Sequence, residues 1–249
     1  MYLGQNNCSP EAKEFGTLAK DAIIGGSEVD YENEIIKDSS FLGTKADCVL
    51  DELIATENNL FRQVSEAFTN GNSKFRIKFT AYNRTSTTED AETALPDSDG
   101  IIEIRFNLAQ AATSPAIGLA STIFHETIHA ELHRIILANN EGPNALPTAQ
   151  YNWYLKMWNY YEGTESNINA VATAAEHNYM AFYHINPIAQ GLREYDNNSH
   201  PVDNYKFFAW EGLEVEGIQN GYITQNDLNN FAGLTTLIHN DEYSSPCDK

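Results

Sequence analysis

Apolar residues recur at helical spacing over most of this chain and alternate over only two short stretches. From about Ala46 to Thr69, the residues Val49, Leu50, Leu53, Leu60, Val64 and Phe68 share one helical face, and Asn70-Gly71 ends the run. Phe75, Ile77 and Phe79 then alternate with Arg76 and Lys78, which predicts a half-buried strand over residues 74–82. The polar stretch 83–100 reads as a loop. Ile101-Ile102-Glu103-Ile104-Arg105-Phe106 reads as a second strand, expected to run antiparallel to the first. A long helix follows. Ser114-Pro115 supplies its N-cap and first-turn proline, and Ile117, Leu119, Ala120, Ile123, Phe124, Ile128, Leu132, Ile135 and Ile136 form a broad apolar stripe. Asn139-Asn140-Glu141-Gly142-Pro143 stops it.

The rest of the chain reads as helix. Residues 150–161 are aromatic-rich, with Tyr151, Trp153, Tyr154, Trp158, Tyr160 and Tyr161. A long helix spans Ser166 to about Asp196, kinked at Pro187, and further helices cover Asp203–Glu216 and Thr224–Asn240. The last starts with a capping-box-like Thr224-Gln225-Asn226-Asp227. Residues 1–40 are rich in Gly, Ser, Asn, Asp and Glu, and read as a tail or linker with one short helix from Ser9-Pro10 to Lys20. The expected fold is α+β: one domain over 41–249, mainly helical, with a short antiparallel strand pair before the long helix. An edge strand at that place would offer an extended peptide something to pair with.

Composition narrows the roles. A hydrophobic share of 42% with 11% aromatics argues for a folded globule. With 15 Lys+Arg against 35 Asp+Glu, the formal charge of -20 repels phosphate backbones and anionic lipid, which argues against nucleic acid and membrane surfaces as partners. No apolar run has the length of a membrane span. Met1-Tyr2-Leu3-Gly4 leads straight into polar residues without the basic start and apolar block of a signal peptide, as a mature or excised chain also would. Cys8, Cys48 and Cys247 form no CxxC, and their odd number leaves room for one disulfide, such as Cys8 with Cys247 or Cys48. Cys48 lies on an apolar helical face and reads as core.

The strongest chemical signal is His125-Glu126-Thr127-Ile128-His129, an HExxH motif inside the long helix. A helix turns about 100° per residue, so His125 and His129 lie roughly 40° apart on one face. Two imidazoles so placed can bind one Zn²⁺, with the intervening Glu126 positioned as base toward an activated water. A catalytic zinc needs a third protein ligand. His133 lies about 12 Å from His125 along the axis, too far to share the ion, and reads as a surface or supporting histidine. The metzincin extension would need Gly at position 132 and His at 135, where this chain has Leu132 and Ile135. Gly163-Thr164-Glu165-Ser166 only shadows the aspzincin GTxDxxYG pattern.

His177 is the favoured third ligand, because Ala170, Ala174 and Ala181 fall on its face at helical spacing and would admit a close helix. A core histidine bonded to a backbone carbonyl is the plain alternative, and Glu176 is the alternative ligand. His184 lies two turns on, while His200 and His239 sit in polar surroundings and are expected to be exposed. Tyr179, Tyr183 and Tyr195 are the tyrosines nearest in sequence to His177, and none is assigned as the group that stabilises an oxyanion.

Several separated segments together resemble a known family. They are Thr44-Lys45-Ala46-Asp47-Cys48, the motif stretch Thr122–Glu131, Glu176-His177-Asn178-Tyr179-Met180-Ala181, Leu192-Arg193-Glu194-Tyr195-Asp196 and Ala209-Trp210-Glu211-Gly212-Leu213. Over about residues 40–215 the chain resembles zincin-like metallopeptidase domains near the C-terminal ends of large secreted bacterial proteins. The resemblance implies a Zn²⁺ site held by His125, His129 and His177, with Glu126 as base, acting on a protein or peptide substrate. It also implies export as part of a longer polypeptide. Asn178 departs from the acidic residue usual after the third histidine. A non-catalytic binding module on the same fold is the alternative, motivated by the aromatic cluster 151–161.

Overall fold

The computed structural model describes residues 2–6, 8–56, 59–69, 74–85, 89–138, 168–240 and 245–248. They form a mixed α+β fold whose contacts group into two compact units, Met1–Glu131 with Ser244–Lys249, and Leu132–Tyr243. The division falls inside a single continuous helix.

The first unit is built on a five-stranded sheet. Helices α1 (Tyr2–Gln5) and α2 (Pro10–Ile24) come first. The Ser9 hydroxyl caps α2 by accepting the Ala12 N–H at 3.1 Å, as the Ser-Pro pair predicts. Strands β1 (Glu28–Asp30), β2 (Ile35–Lys37), β3 (Arg76–Tyr82), β4 (Ala91–Thr93) and β5 (Ile101–Asn107) are arranged in the order β1-β2-β3-β5-β4. The segment read as a tail thus supplies helix α2 and two strands. Strands of three residues are too short to show alternation, so no periodic signal marked them.

β3 and β5 are parallel, not antiparallel as expected. The cause is β4, which lies in the stretch read as a loop. The chain runs along β3, returns along β4, then turns at Asp97–Gly100 into β5, which inserts between them and pairs antiparallel with β4. Asp97 Oδ1 accepts the N–H of Asp99 and of Ile101, each at 2.9 Å, and fixes that turn. Gly100 completes it with φ +77°, and a Cβ there would lie 2.2 Å from the Lys74 carbonyl oxygen.

Ile77, Phe79, Ile102, Ile104 and Phe106 are fully buried and form the core face of β3 and β5. Phe41 packs its ring 5.5 Å from Phe79 and 5.6 Å from Phe106. Each such ring contributes about 1.5–3 kcal/mol through burial. Arg76 is buried too, its Nε 3.0 Å from Glu34 Oε2 and its guanidinium 5.3 Å from the Phe15 ring centroid.

The helix expected over 46–69 is two, α3 (Lys45–Ala55) and α4 (Leu60–Ser65). Asn59 enforces the break: its side-chain oxygen accepts the Arg62 N–H, while its amide donates to the Leu53 carbonyl. Cys48 of α3 is not a free core cysteine; it is bonded to Cys247, 199 residues away, and the free thiol is the exposed Cys8. The one-turn helix α5 (Leu108–Ala111) then leads to α6 (Ala116–Ala138).

The second unit holds the end of α6 with α7 (Ile168–Tyr183), α8 (Ile185–Tyr195), α9 (Lys206–Trp210), α10 (Glu214–Gln219) and α11 (Gln225–Asn240). The kink expected at Pro187 is a full break at His184, three residues earlier, because proline in the first turn of α8 tolerates no continuous helix before it. The helix expected over 203–216 is likewise divided, by Gly212 at φ +80°. The capping box is formed, with Thr224 and Asp227 exchanging hydrogen bonds through both side chains and backbone N–H groups. The predicted 150–161 helix and the stop at 139–143 lie outside the described residues. Among those described, no helix is long and apolar enough to cross a membrane.

Candidate metal centre

Helix α6 carries the motif and is buried on nearly every side. Ile117, Leu119, Ala120, Ile123, Phe124, Ile128, Ala130, Leu132 and Ile136 are each 8% exposed or less. Its first turn is anchored from both ends of the first unit's chain. Ala116 N–H donates to Asp248 Oδ1, and Lys45 Nζ donates to the Ser114 carbonyl while pairing with the same Asp248 oxygen at 2.6 Å. A carboxylate at a helix N-terminus meets the positive end of the helix dipole.

One turn apart on this helix, His125 and His129 bring their Nε2 atoms to 3.1 Å. Two imidazole nitrogens bound tetrahedrally to one zinc at about 2.0–2.1 Å would lie about 3.3 Å apart. The pair therefore has the spacing of two ligands on one ion. Between them Glu126 is 7% exposed. Its Oε2 accepts a 2.6 Å hydrogen bond from the hydroxyl of Thr93, on the edge strand β4. The edge strand beside the motif is thus β4, and β5, expected at that place, is interior.

His177 lies on α7, its side chain 19% exposed, with Nδ1 3.9 Å from Glu216 Oε2 of α10. The His125–His129 pair offers two ring nitrogens on one helix face, a pair that can hold a metal ion. Glu176, the alternative ligand, pairs instead with His133, Oε1 to Nε2 at 3.4 Å. Both are buried, so His133 is not a surface residue. One expectation about α7 fails in detail: Ala174 is exposed, Ala175 and Ala181 are buried, and the side chain of Ala170 lies outside the described residues.

The remaining histidines are elsewhere. His184 stands at the α7–α8 break, where burial holds its imidazole down to about 4. His200 is half-buried rather than exposed, and its carbonyl accepts the Arg193 Nε at 3.0 Å. The side chain of His239 lies outside the described residues. The rings of Tyr179 and Tyr183 pack at a tilt with centroids 4.8 Å apart, and Tyr195 is buried at 7% exposure.

Two residues at this place went unnoticed in the sequence. Thr93 lies in a polar run without periodicity, and Glu216 is one of 35 acidic residues with nothing local to single it out. Comparison with known proteins returns no family model, no curated protein and no solved structure that matches this chain.

Proposed function

We propose that this chain is a zinc-dependent peptidase of zincin-like fold, with His125, His129 and His177 as metal ligands and Glu126 as general base. One observation carries the reading: two imidazole nitrogens 3.1 Å apart on one helix, with a buried carboxylate between them. Three imidazoles are a donor set suited to Zn²⁺, and three protein ligands leave a coordination position open. Bound there, zinc supplies Lewis acidity toward water and the scissile carbonyl. Glu126 accepts the proton of the attacking water and returns it to the leaving amine. Glu216 faces His177 Nδ1, as an outer carboxylate that orients a ligand imidazole would.

The substrate class is a protein or extended peptide, and the place of β4 at the edge of the sheet supports it. Export as a domain of a larger secreted protein agrees with the Cys48–Cys247 bond, since disulfides persist in oxidising compartments.

Elemental analysis of the purified protein tests the site. One zinc per chain is expected in the wild type and in Glu176→Ala, and loss of zinc in His177→Ala. Glu126→Gln should keep the metal and abolish peptide cleavage. Retained hydrolysis in that variant overturns the mechanism, and a wild type that takes up no zinc from excess overturns the site.

A further inference from the structure

We infer that Thr93 is a positioning residue for the Glu126 carboxylate, an inference that rests on reading Glu126 as the base. The terminal torsion of a glutamate is broad and roughly two-fold, so a hydrogen bond to one carboxylate oxygen selects among its orientations. Here the Thr93 hydroxyl lies 2.6 Å from Glu126 Oε2 and 3.0 Å from the Glu126 backbone carbonyl. The hydroxyl carries one proton, and the charged oxygen at the shorter distance is the stronger acceptor. That bond makes the two carboxylate oxygens inequivalent and fixes the plane in which they lie.

The donor itself is held firmly. Thr93 stands opposite Ile104 in the antiparallel β4–β5 register, and the neighbouring Ala94 N–H bonds the Glu103 carbonyl at 2.8 Å. Asn107 N–H bonds the Asp90 carbonyl at 2.8 Å at the other end of the strand. A β-branched side chain has few rotamers, so the backbone pairing of β4 sets where the hydroxyl points. A serine would keep the proton but gain freedom about χ1; a valine would keep the shape and lose the proton.

Crystal structures of zinc-loaded wild type, Thr93→Val and Thr93→Ser, with kcat and KM on a peptide that the wild type cleaves, test the assignment. Thr93→Val should show the Glu126 carboxylate in more than one orientation, with kcat down about tenfold or more and KM unchanged. Thr93→Ser should restore a single orientation and most of kcat. An ordered, unmoved carboxylate in Thr93→Val overturns the inference, as does a loss that serine does not rescue. If wild type cleaves no peptide, the peptidase reading fails, and the orientation of Glu126 in the valine variant alone decides for or against Thr93.

Discussion

Asp248 Oδ1 accepts the backbone N–H of Ala116 at 3.0 Å, so a residue 132 positions away caps the helix that carries the metal motif. Asp248→Ala should cost about 1 kcal/mol, the usual value of a lost N-cap, while Asp248→Asn should cost less because an amide oxygen still accepts. Urea unfolding of the three proteins measures both. Equal stability of wild type and Asp248→Ala would show that the cap contributes nothing.

The cap depends on the bond next to it. Cys247 precedes Asp248 and is joined to Cys48. Replacing both cysteines by serine should lower stability by about 2–5 kcal/mol, and Asp248→Ala should then add little, because the segment that presents the carboxylate is already released. Additive losses in that double-mutant comparison would separate the two effects.

Acid should destabilise the fold through His184. Burial depresses its imidazole from 6.5 to about 4, so the folded chain holds it neutral where the unfolded chain protonates it. The stabilisation is complete above about pH 6.5 and is lost as the pH falls from there toward 4, reaching at most about 3 kcal/mol. His184→Gln should flatten the stability profile over that window. An unchanged acid limb in the variant would assign it to other groups.

Lys37 is held by Asp47 at 2.9 Å, Asp51 at 2.8 Å and Glu28 at 3.0 Å. Burial alone would lower its ammonium, but those hydrogen bonds outweigh it and keep the group charged well above the usual range. Lys37→Met should cost about 3–5 kcal/mol by stranding the buried Asp47, and adding Asp47→Asn should recover part of it. Thermal unfolding measures both, and a loss that Asp47→Asn leaves untouched would place the cost in packing.

The motif helix was legible because its signals are local and redundant: an apolar stripe, a Ser-Pro start and histidines four apart on one face. The capping box at Thr224 was equally local. What sequence could not show depends on distant partners. β3 and β5 are parallel only because β4, three half-buried residues in a polar run, lies between them in the chain and outside them in the sheet. Asn59 reads as one polar residue among several until its amide is seen to bond Leu53 and Arg62. Cys48 has a partner 199 residues on, and only the fold chooses between it and Cys8. His177 is favoured over its neighbour Glu176 in sequence on the small residues around it, but the contact of Glu176 with His133 has no local signal.

The bond between Cys48 and Cys247 also closes residues 48–247 into a covalent ring, and a ring carries tension only across its clasp. Pulled from residues on either side of the clasp, the oxidised chain pays out none of the residues between the two cysteines. Strands β3, β4 and β5 and the motif itself sit inside the loop and feel no stretch. Reduction would let the same force unravel the whole length.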